Sequence, residues 1–147
     1  MSTESERVYV DSPVGWVSTQ LAAIQAAGTT AAATIQGLPV VVYHVQGARS
    51  GHWRRVPLMR VEHDGTYAAV ASKGGAPEHP QWYWSMKANP HVEIQDGAVT
   101  RSATARLATP QEREQWWPRC VAAYPPYAEY QARSGGREIP VFLVTVD

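Results

Sequence analysis

Residues 55–72 read Arg55-Val-Pro-Leu-Met-Arg-Val-Glu-His-Asp-Gly-Thr-Tyr-Ala-Ala-Val-Ala-Ser72, and this stretch decides the fold class. Two runs, residues 55–62 and 66–72, flank His63-Asp64-Gly65, and Asp-Gly supplies the left-handed backbone that a tight β-hairpin needs. A second such unit follows, in which residues 91–95 and 98–107 flank Asp96-Gly97. Pro39-Val-Val-Val-Tyr43 opens a strand upstream, and residues 139–146 form a closing strand downstream. Between these lie helix signals. Ser12-Pro13 offers a cap followed by Pro at the first helical position. Val14, Val17, Leu21 and Ile24 then recur at helical spacing until Gly28. A short aromatic helix around Trp82-Tyr83-Trp84 ends at Asn89-Pro90, and Thr109-Pro110-Gln111-Glu112 is a capping box for a helix running to about Ala123. Residues 1–11 read as a frayed tail, 29–36 as a linker, 46–53 and 73–80 as loops, and 124–137 as loop-rich. Five or six antiparallel strands with three helices predict a small β-barrel, because closure removes sheet edges.

The 147 residues suit one compact domain, large enough to bury a core without disulfide or metal. Thirteen basic residues balance thirteen acidic ones, which argues against a chain coated for nucleic acid. Cys120 is the sole cysteine, so no internal disulfide forms. The first residues lack the basic-then-apolar layout of a signal peptide, making the cytoplasm the expected location. The uncharged stretch from Ser12 to Ala48 is broken by Gly15, Gly28, Gly37 and Pro39, and is too polar to span a membrane.

Charge placement is more informative than net charge. No acid occurs between Asp11 and Glu62, yet Arg49, Arg54, Arg55 and Arg60 crowd the end of that interval and Lys73 follows. Adjacent strands would gather these cations on one rim, where Arg and Lys bind phosphate or carboxylate; a solvated face is the plainer alternative. Ser72-Lys73-Gly74-Gly75 can turn backbone N–H groups toward an anion. Trp82, Tyr83 and Trp84 cannot share one helix face, so at least one is expected in the core and one exposed. Tyr124, Tyr127 and Tyr130, spaced by three, offer phenol donors and a flat wall for an aromatic acceptor, or a Pro-stiffened strap over the barrel. Five histidines without metal spacing and a lone cysteine predict no metal site. Cys120, within a helix, is expected to be inert core.

Several of these motifs, in order, resemble those of the deazaflavin-dependent nitroreductases. They are Gly37-Leu-Pro-Val-Val-Val, Gly47-Ala-Arg-Ser-Gly51, Arg54-Arg-Val-Pro-Leu-Met59 and Ala71-Ser-Lys-Gly-Gly-Ala-Pro-Glu-His-Pro80. Trp82-Tyr83, Lys87-Ala-Asn-Pro90, Tyr124-Pro-Pro-Tyr-Ala-Glu-Tyr-Gln131 and Ile139-Pro140 continue the series. The resemblance implies an α+β, mainly β fold: a split β-barrel of the FMN-binding type in residues 37–147, preceded by a tail, helix and linker in residues 1–36. It implies coenzyme F420, a hydride carrier with a flavin-like ring and a tail of phosphate and glutamate carboxylates.

By that resemblance the cofactor groove comprises Ala48, Arg49 and Ser50; Arg54, Arg55, Val56, Pro57, Leu58 and Met59; Val70, Ala71, Ser72 and Lys73; and Gln81, Trp82, Tyr83, Trp84 and Ser85. Lys73 and Arg54 would hold the phosphate, and Arg49 and Arg55 the tail carboxylates. Tyr127, Tyr130 and Ser72 would stand beside the acceptor and steady its developing oxyanion, with Tyr127 also touching the cofactor. Ser85 stands where relatives often carry Asn, and Val56, Met59 and Tyr43-His44 also depart from common residues. The implied reaction is hydride transfer to a small electron-poor acceptor such as menaquinone or another quinone, an activated enone or a nitroaromatic. The rivals are an FMN-dependent oxidoreductase on the same barrel and a non-catalytic carrier of cofactor or lipid-like ligand. No nucleic-acid partner is implied. The apolar helix stripe, lacking Lys or Arg beside it, is expected to pack on the barrel or cap the acceptor pocket, with only weak peripheral attraction to the inner membrane face.

Overall fold

The computed structural model describes residues 7–10 and 15–147. The Ser12-Pro13 cap, Val14 and most of the expected tail lie outside the described residues. In chain order the elements are α1 (Gly15–Ala27), β1 (Thr34–Ile35), β2 (Leu38–Gln46), β3 (Trp53–Met59), β4 (Glu62–His63) and β5 (Thr66–Val70). Then come α2 (Gln81–Ala88), β6 (His91–Asp96), β7 (Val99–Leu107), α3 (Pro110–Ala123), α4 (Pro126–Arg133) and β8 (Val141–Val146). Short 3-10 turns occupy Thr30–Ala32 and Lys73–Gly75.

All strand pairs are antiparallel, and the order runs β3-β2-β6-β7-β8-β5-β4. Every one of the six longer strands sends alternate residues inward. Val41, Tyr43 and Val45 of β2 meet Val56 and Leu58 of β3, Tyr67 and Ala69 of β5, and Val92 and Ile94 of β6. Ala103, Ala105, Phe142 and Val144 complete this interior, and Trp82, Tyr83 and Met86 of α2 plug one end. The intervening residues Val40, Val42, Met59, Ala68, Val70, Val141 and Leu143 face outward, beneath Ile24 of α1, Trp116 and Cys120 of α3, and Tyr127 of α4. Burial on both faces explains why Val40-Val-Val-Tyr43 is continuously apolar. β3 and β5 end the circuit beside each other without a shared ladder. The architecture is a mainly β split barrel, and that unpaired seam is its split.

The structure differs from the sequence expectation at four places. The hairpin over His63-Asp64-Gly65 joins β4 to β5, with Glu62 opposite Tyr67, whereas β3 turns away to pair with β2, Val40 opposite Met59. The expected linker 29–36 contains β1, which folds back on β2 through Gln36 and Gly37, both at positive φ. Residues 7–10 are not frayed. Tyr9 bridges Trp53, Val10 N donates to Trp53 O at 2.9 Å, and Arg7 forks onto Glu93 at 2.8 and 3.0 Å. The loop-rich segment 124–137 holds α4, which Pro126 starts at its first turn. The Thr109 capping box forms as read, with Glu112 also bidentate to Arg106 at 2.6 Å. Among the described residues, no helix is long and apolar enough to cross a membrane.

Candidate functional site

A groove of about 1020 Å³ opens along the seam. One wall is β3, which contributes Arg54, Arg55, Val56, Pro57, Leu58 and Met59. Val70, Ser72, Lys73 and Gly74 come from the end of β5 and the turn after it, and His79 to Trp82 with Trp84 from the start of α2. Tyr124, Tyr127 and Tyr130 close one side, and Trp16, Val17 and Gln20 of α1 close another. Among the described residues that line it there are three formal cations and no carboxylate. Such a lining focuses positive potential on whatever enters.

The turn at its edge is unusual. Ser72 is right-handed helical, and Lys73, Gly74 and Gly75 follow at φ of 47°, 64° and 84°. A non-glycine residue at positive φ carries a steric cost of roughly 1–2 kcal/mol, which the surroundings must offset. Gly75 N–H donates to Ser72 O at 3.0 Å and Ala76 N–H to Lys73 O at 3.1 Å, so those two amides serve the turn itself and not an anion. Lys73 Nζ lies 3.2 Å from Glu78 Oε1, both side chains being well exposed. Arg55 stacks its guanidinium 3.7 Å above the Tyr9 ring. The start of α2 has no side-chain cap and no acid in its first turn, leaving a positive dipole end at the groove.

The three tyrosines form one packed set. Ring centroids of Tyr124 and Tyr127 are 5.0 Å apart, and those of Tyr127 and Tyr130 6.2 Å. The Tyr124 and Tyr130 hydroxyls are within hydrogen-bond reach at 3.3 Å. Burial, with the Tyr130 hydrogen bond, pushes the Tyr124 phenol up to about 12. Burial raises that of Tyr127 further, at 3% exposure. Both stay protonated at neutral pH and act as donors.

Of the site residues expected from sequence, Arg54 to Met59, Val70, Ser72, Lys73, Gln81, Trp82, Trp84, Tyr127 and Tyr130 line this groove. Six do not. Ala48, Arg49 and Ser50 are exposed on a loop off the groove, closed on itself by Gly47 N–H to His52 O at 2.7 Å. Ala71, Tyr83 and Ser85 are buried behind the lining: Ala71 against Pro140, Tyr83 in the barrel interior, and Ser85 within α2. Arg60, expected on the same cationic rim, does not line the groove and instead shares its Nε–H between the two carboxylate oxygens of Asp96 at 3.0 Å. Tyr43, a departure from the family pattern, is wholly buried inside the barrel rather than at the groove. Trp84 is 51% exposed while Trp82 and Tyr83 are buried, which meets the expectation for that helix. Cys120 is fully buried and its thiol is raised to about 12 by that burial, consistent with inert core.

Sequence reading missed Trp16, Gln20, Ile35, His79 and Pro80 as lining residues. The α1 stripe divides between both expected roles, Ile24 packing on the barrel and Val17 facing the groove. Tyr124 lines the groove with Tyr127 and Tyr130, as the spacing of the three phenols suggested. Nothing local marks Trp16, which is 58% exposed on α1.

The residues fit a ligand with a flat ring and an anionic tail. Arg54, Arg55 and Lys73 suit the tail, and Trp82, Leu58 and the tyrosines suit the ring.

Comparison with known proteins points the same way. A sequence model described as F420H(2)-dependent quinone reductase matches residues 16–146. An F420H(2)-dependent quinone reductase from Mycobacterium tuberculosis (strain H37Rv) is 34% identical over 110 residues, 73% of each chain. A solved structure titled F420-H2 dependent reductase (FDR-A) is 56% identical, with a TM-score of 0.68 over 71% of this chain and 92% of that one. Another, described as a domain-swapped dimer, is 51% identical, with a TM-score of 0.71 over 90% of this chain and 99% of that one. A barrel with this seam and this lining, matched over nearly its whole length, belongs to the F420H(2)-dependent quinone reductase family, oxidoreductases whose cofactor is coenzyme F420.

Proposed function

We propose that the groove along the seam seats reduced F420 with its anionic tail toward Arg54, Arg55 and Lys73, and that the chain passes a hydride to a quinone lying against the tyrosines. The observation that carries this reading is the composition of the lining: among the described residues, three cations and three phenols with no carboxylate. Bound F420 supplies the low-potential hydride, which is the difficult chemistry. The side chains supply alignment, exclusion of water and a hydrogen-bond donor. Trp82 and Leu58, buried or half-buried, restrict how a planar ligand can tilt. The Tyr124 and Tyr127 phenols, both raised by burial, keep their protons and can donate to an acceptor oxygen as charge grows on it. Menaquinone is the acceptor that the resemblance favours, and activated enones and nitroaromatics share its electron-poor character. Weak peripheral contact with the membrane would bring the groove to such an acceptor.

The test separates anchoring from chemistry. The cofactor's phosphate keeps its charge during hydride transfer, so Arg54 should bind ground and transition states about equally. Arg54→Ala should weaken F420 binding by about 1.5–3 kcal/mol and leave turnover at saturating cofactor within a few-fold. Tyr127→Phe and Tyr130→Phe should keep cofactor affinity and lose roughly tenfold in turnover with a quinone, about 1.4 kcal/mol of barrier. Fluorescence titration and steady-state kinetics read both. An Arg54→Ala variant that binds normally and turns over slowly overturns the anchoring role. Full turnover in both tyrosine variants reduces Tyr127 and Tyr130 to walls.

A further inference from the structure

Arg137 sits between α4 and β8, outside every motif assigned above, and its guanidinium is engaged with backbone. Nε donates to Ala76 O at 3.1 Å, Nη1 to Ala71 O at 3.0 Å, and Nη2 to Ser72 O at 2.8 Å and Ala76 O at 2.9 Å. These three carbonyls belong to the turn that carries Lys73 at positive φ. Arg137 is itself braced from behind. Its carbonyl accepts from Gln131 Nε2 at 2.8 Å and from Ser134 Oγ at 2.5 Å. Gln131 Oε1 in turn accepts from Ile139 N at 2.9 Å and from Arg113 Nη2 at 2.9 Å.

The second hydrogen on Nη1 reaches His79 Nδ1 at 3.1 Å. A guanidinium has no acceptor, so His79 Nδ1 must supply the lone pair and the neutral ring must carry its proton on Nε2. His79 lines the groove, and its ring is stacked on Tyr83 at 4.0 Å and edge-on to Trp84 at 5.5 Å. The charged groups facing it are Arg137 and Lys87. Burial first, then these two cations, lower its pKa from the ordinary value. Protonation of the folded chain is thereby disfavoured. This contribution to stability is present above the unfolded histidine value near 6.5 and is lost as pH falls below it.

We infer that Arg137 is a positioning residue for the groove: it pins the 71–76 turn and holds His79 as the neutral Nε2–H tautomer, a fixed donor to an anionic or carbonyl oxygen of the bound cofactor. A histidine free to titrate would take up a proton beside the polyanion and make affinity vary with pH. This one stays a neutral donor. The inference goes beyond the proposed function, and its first test needs no cofactor.

Proton–nitrogen correlation of the histidine rings in the full chain reads the tautomer directly, with His79 assigned by its loss in His79→Gln. In the wild type at neutral pH and above, His79 should show Nδ1 unprotonated and Nε2 protonated. Arg137→Lys keeps the cation and loses the fork, so the Nδ1–H form should appear in the His79 signals. An Nδ1–H or doubly protonated ring in the wild type overturns the inference, as does an unchanged His79 spectrum in Arg137→Lys. Should Arg137→Lys not fold, the wild-type spectrum and two further variants decide. His79→Phe keeps the stack on Tyr83 without the donor and should weaken F420 binding roughly fivefold, the worth of one neutral hydrogen bond. His79→Gln restores an amide N–H and should recover most of that loss. Wild-type affinity in His79→Phe overturns the donor role while leaving the family's cofactor untouched.

Discussion

Two loops of this chain look alike on paper and behave oppositely. Residues 47–52 and 72–79 are each short and glycine-bearing, each carries a cation, and each belongs to a motif of the family. The first satisfies itself, with Gly47 N–H on His52 O at 2.7 Å, Gly51 N–H on Gly47 O at 3.3 Å and His52 N–H on Ser50 Oγ at 3.1 Å. It stands in solvent beside the groove. The second is held by groups far away in sequence. Arg137 takes the carbonyls of Ala71, Ser72 and Ala76, and the backbone of Tyr130 presses on Gly75. It faces the groove. A loop enters a site when the rest of the fold fixes it there, and its composition alone does not say whether that happens.

The largest expected effect tests this difference through glycine. A Cβ on Gly75 would lie 2.8 Å from Tyr130 O and 3.0 Å from Tyr130 Cα, with φ already at +84°. Backbone cannot swing aside, so Gly75→Ala should cost about 3 kcal/mol or more. A Cβ on Gly51, at φ +72°, would meet nothing nearer than Gln46 Nε2 at 3.8 Å. Gly51→Ala should therefore cost only the left-handed penalty, about 1–2 kcal/mol. Chemical denaturation of both variants reads the contrast, and equal costs break it.

Next comes ligand affinity. On the proposed reading, Lys73→Ala should weaken F420 binding by roughly tenfold to a hundredfold, as for a charge-assisted hydrogen bond. Arg49→Ala, on the loop off the groove, should change it by less than about twofold, since exposed charges at a distance are screened. A larger effect at Arg49 would show that the first loop reaches the cofactor tail after all. The smallest effect sharpens the second loop alone. Glu78 holds Lys73 at 3.2 Å on an exposed surface. Glu78→Gln releases the amine and removes a negative charge near the anion, so affinity should rise about two- to fivefold, with stability within about 0.5 kcal/mol of wild type.

What could be read in the sequence was what local chemistry dictates. Asp96-Gly97 and Asp64-Gly65 mark their turns, Thr109 and Glu112 mark a helix start, and Val40 to Tyr43 mark a strand buried on both faces. The partner of β3 could not be read, because pairing Val40 with Met59 is a choice between surfaces that both look apolar. Helix α4 was hidden by Tyr124-Pro125-Pro126, which reads as loop until Pro126 is seen to occupy the first turn. The groove's tyrosines and cations were legible as residue types at a spacing. Arg137 was not, since donors aimed at backbone carbonyls and one ring nitrogen leave no trace in composition. Trp16 and Gln20 were not either, because a helix stripe does not announce which of its neighbours is a ligand.

The seam has a bearing on assembly. β3 pairs with β2 on one side, and on the other only Trp53 is bridged, to Tyr9, among the described residues; an open strand margin is the situation in which extended chains add to one another. Pro57, midway along β3 and opposite Val42, has no N–H to offer on either margin. A second strand laid into the seam would find its ladder interrupted there, whereas a flat ring asks for no ladder. The residue that borders the groove thus also guards the open edge, letting the barrel stay unclosed for a small molecule without inviting a peptide.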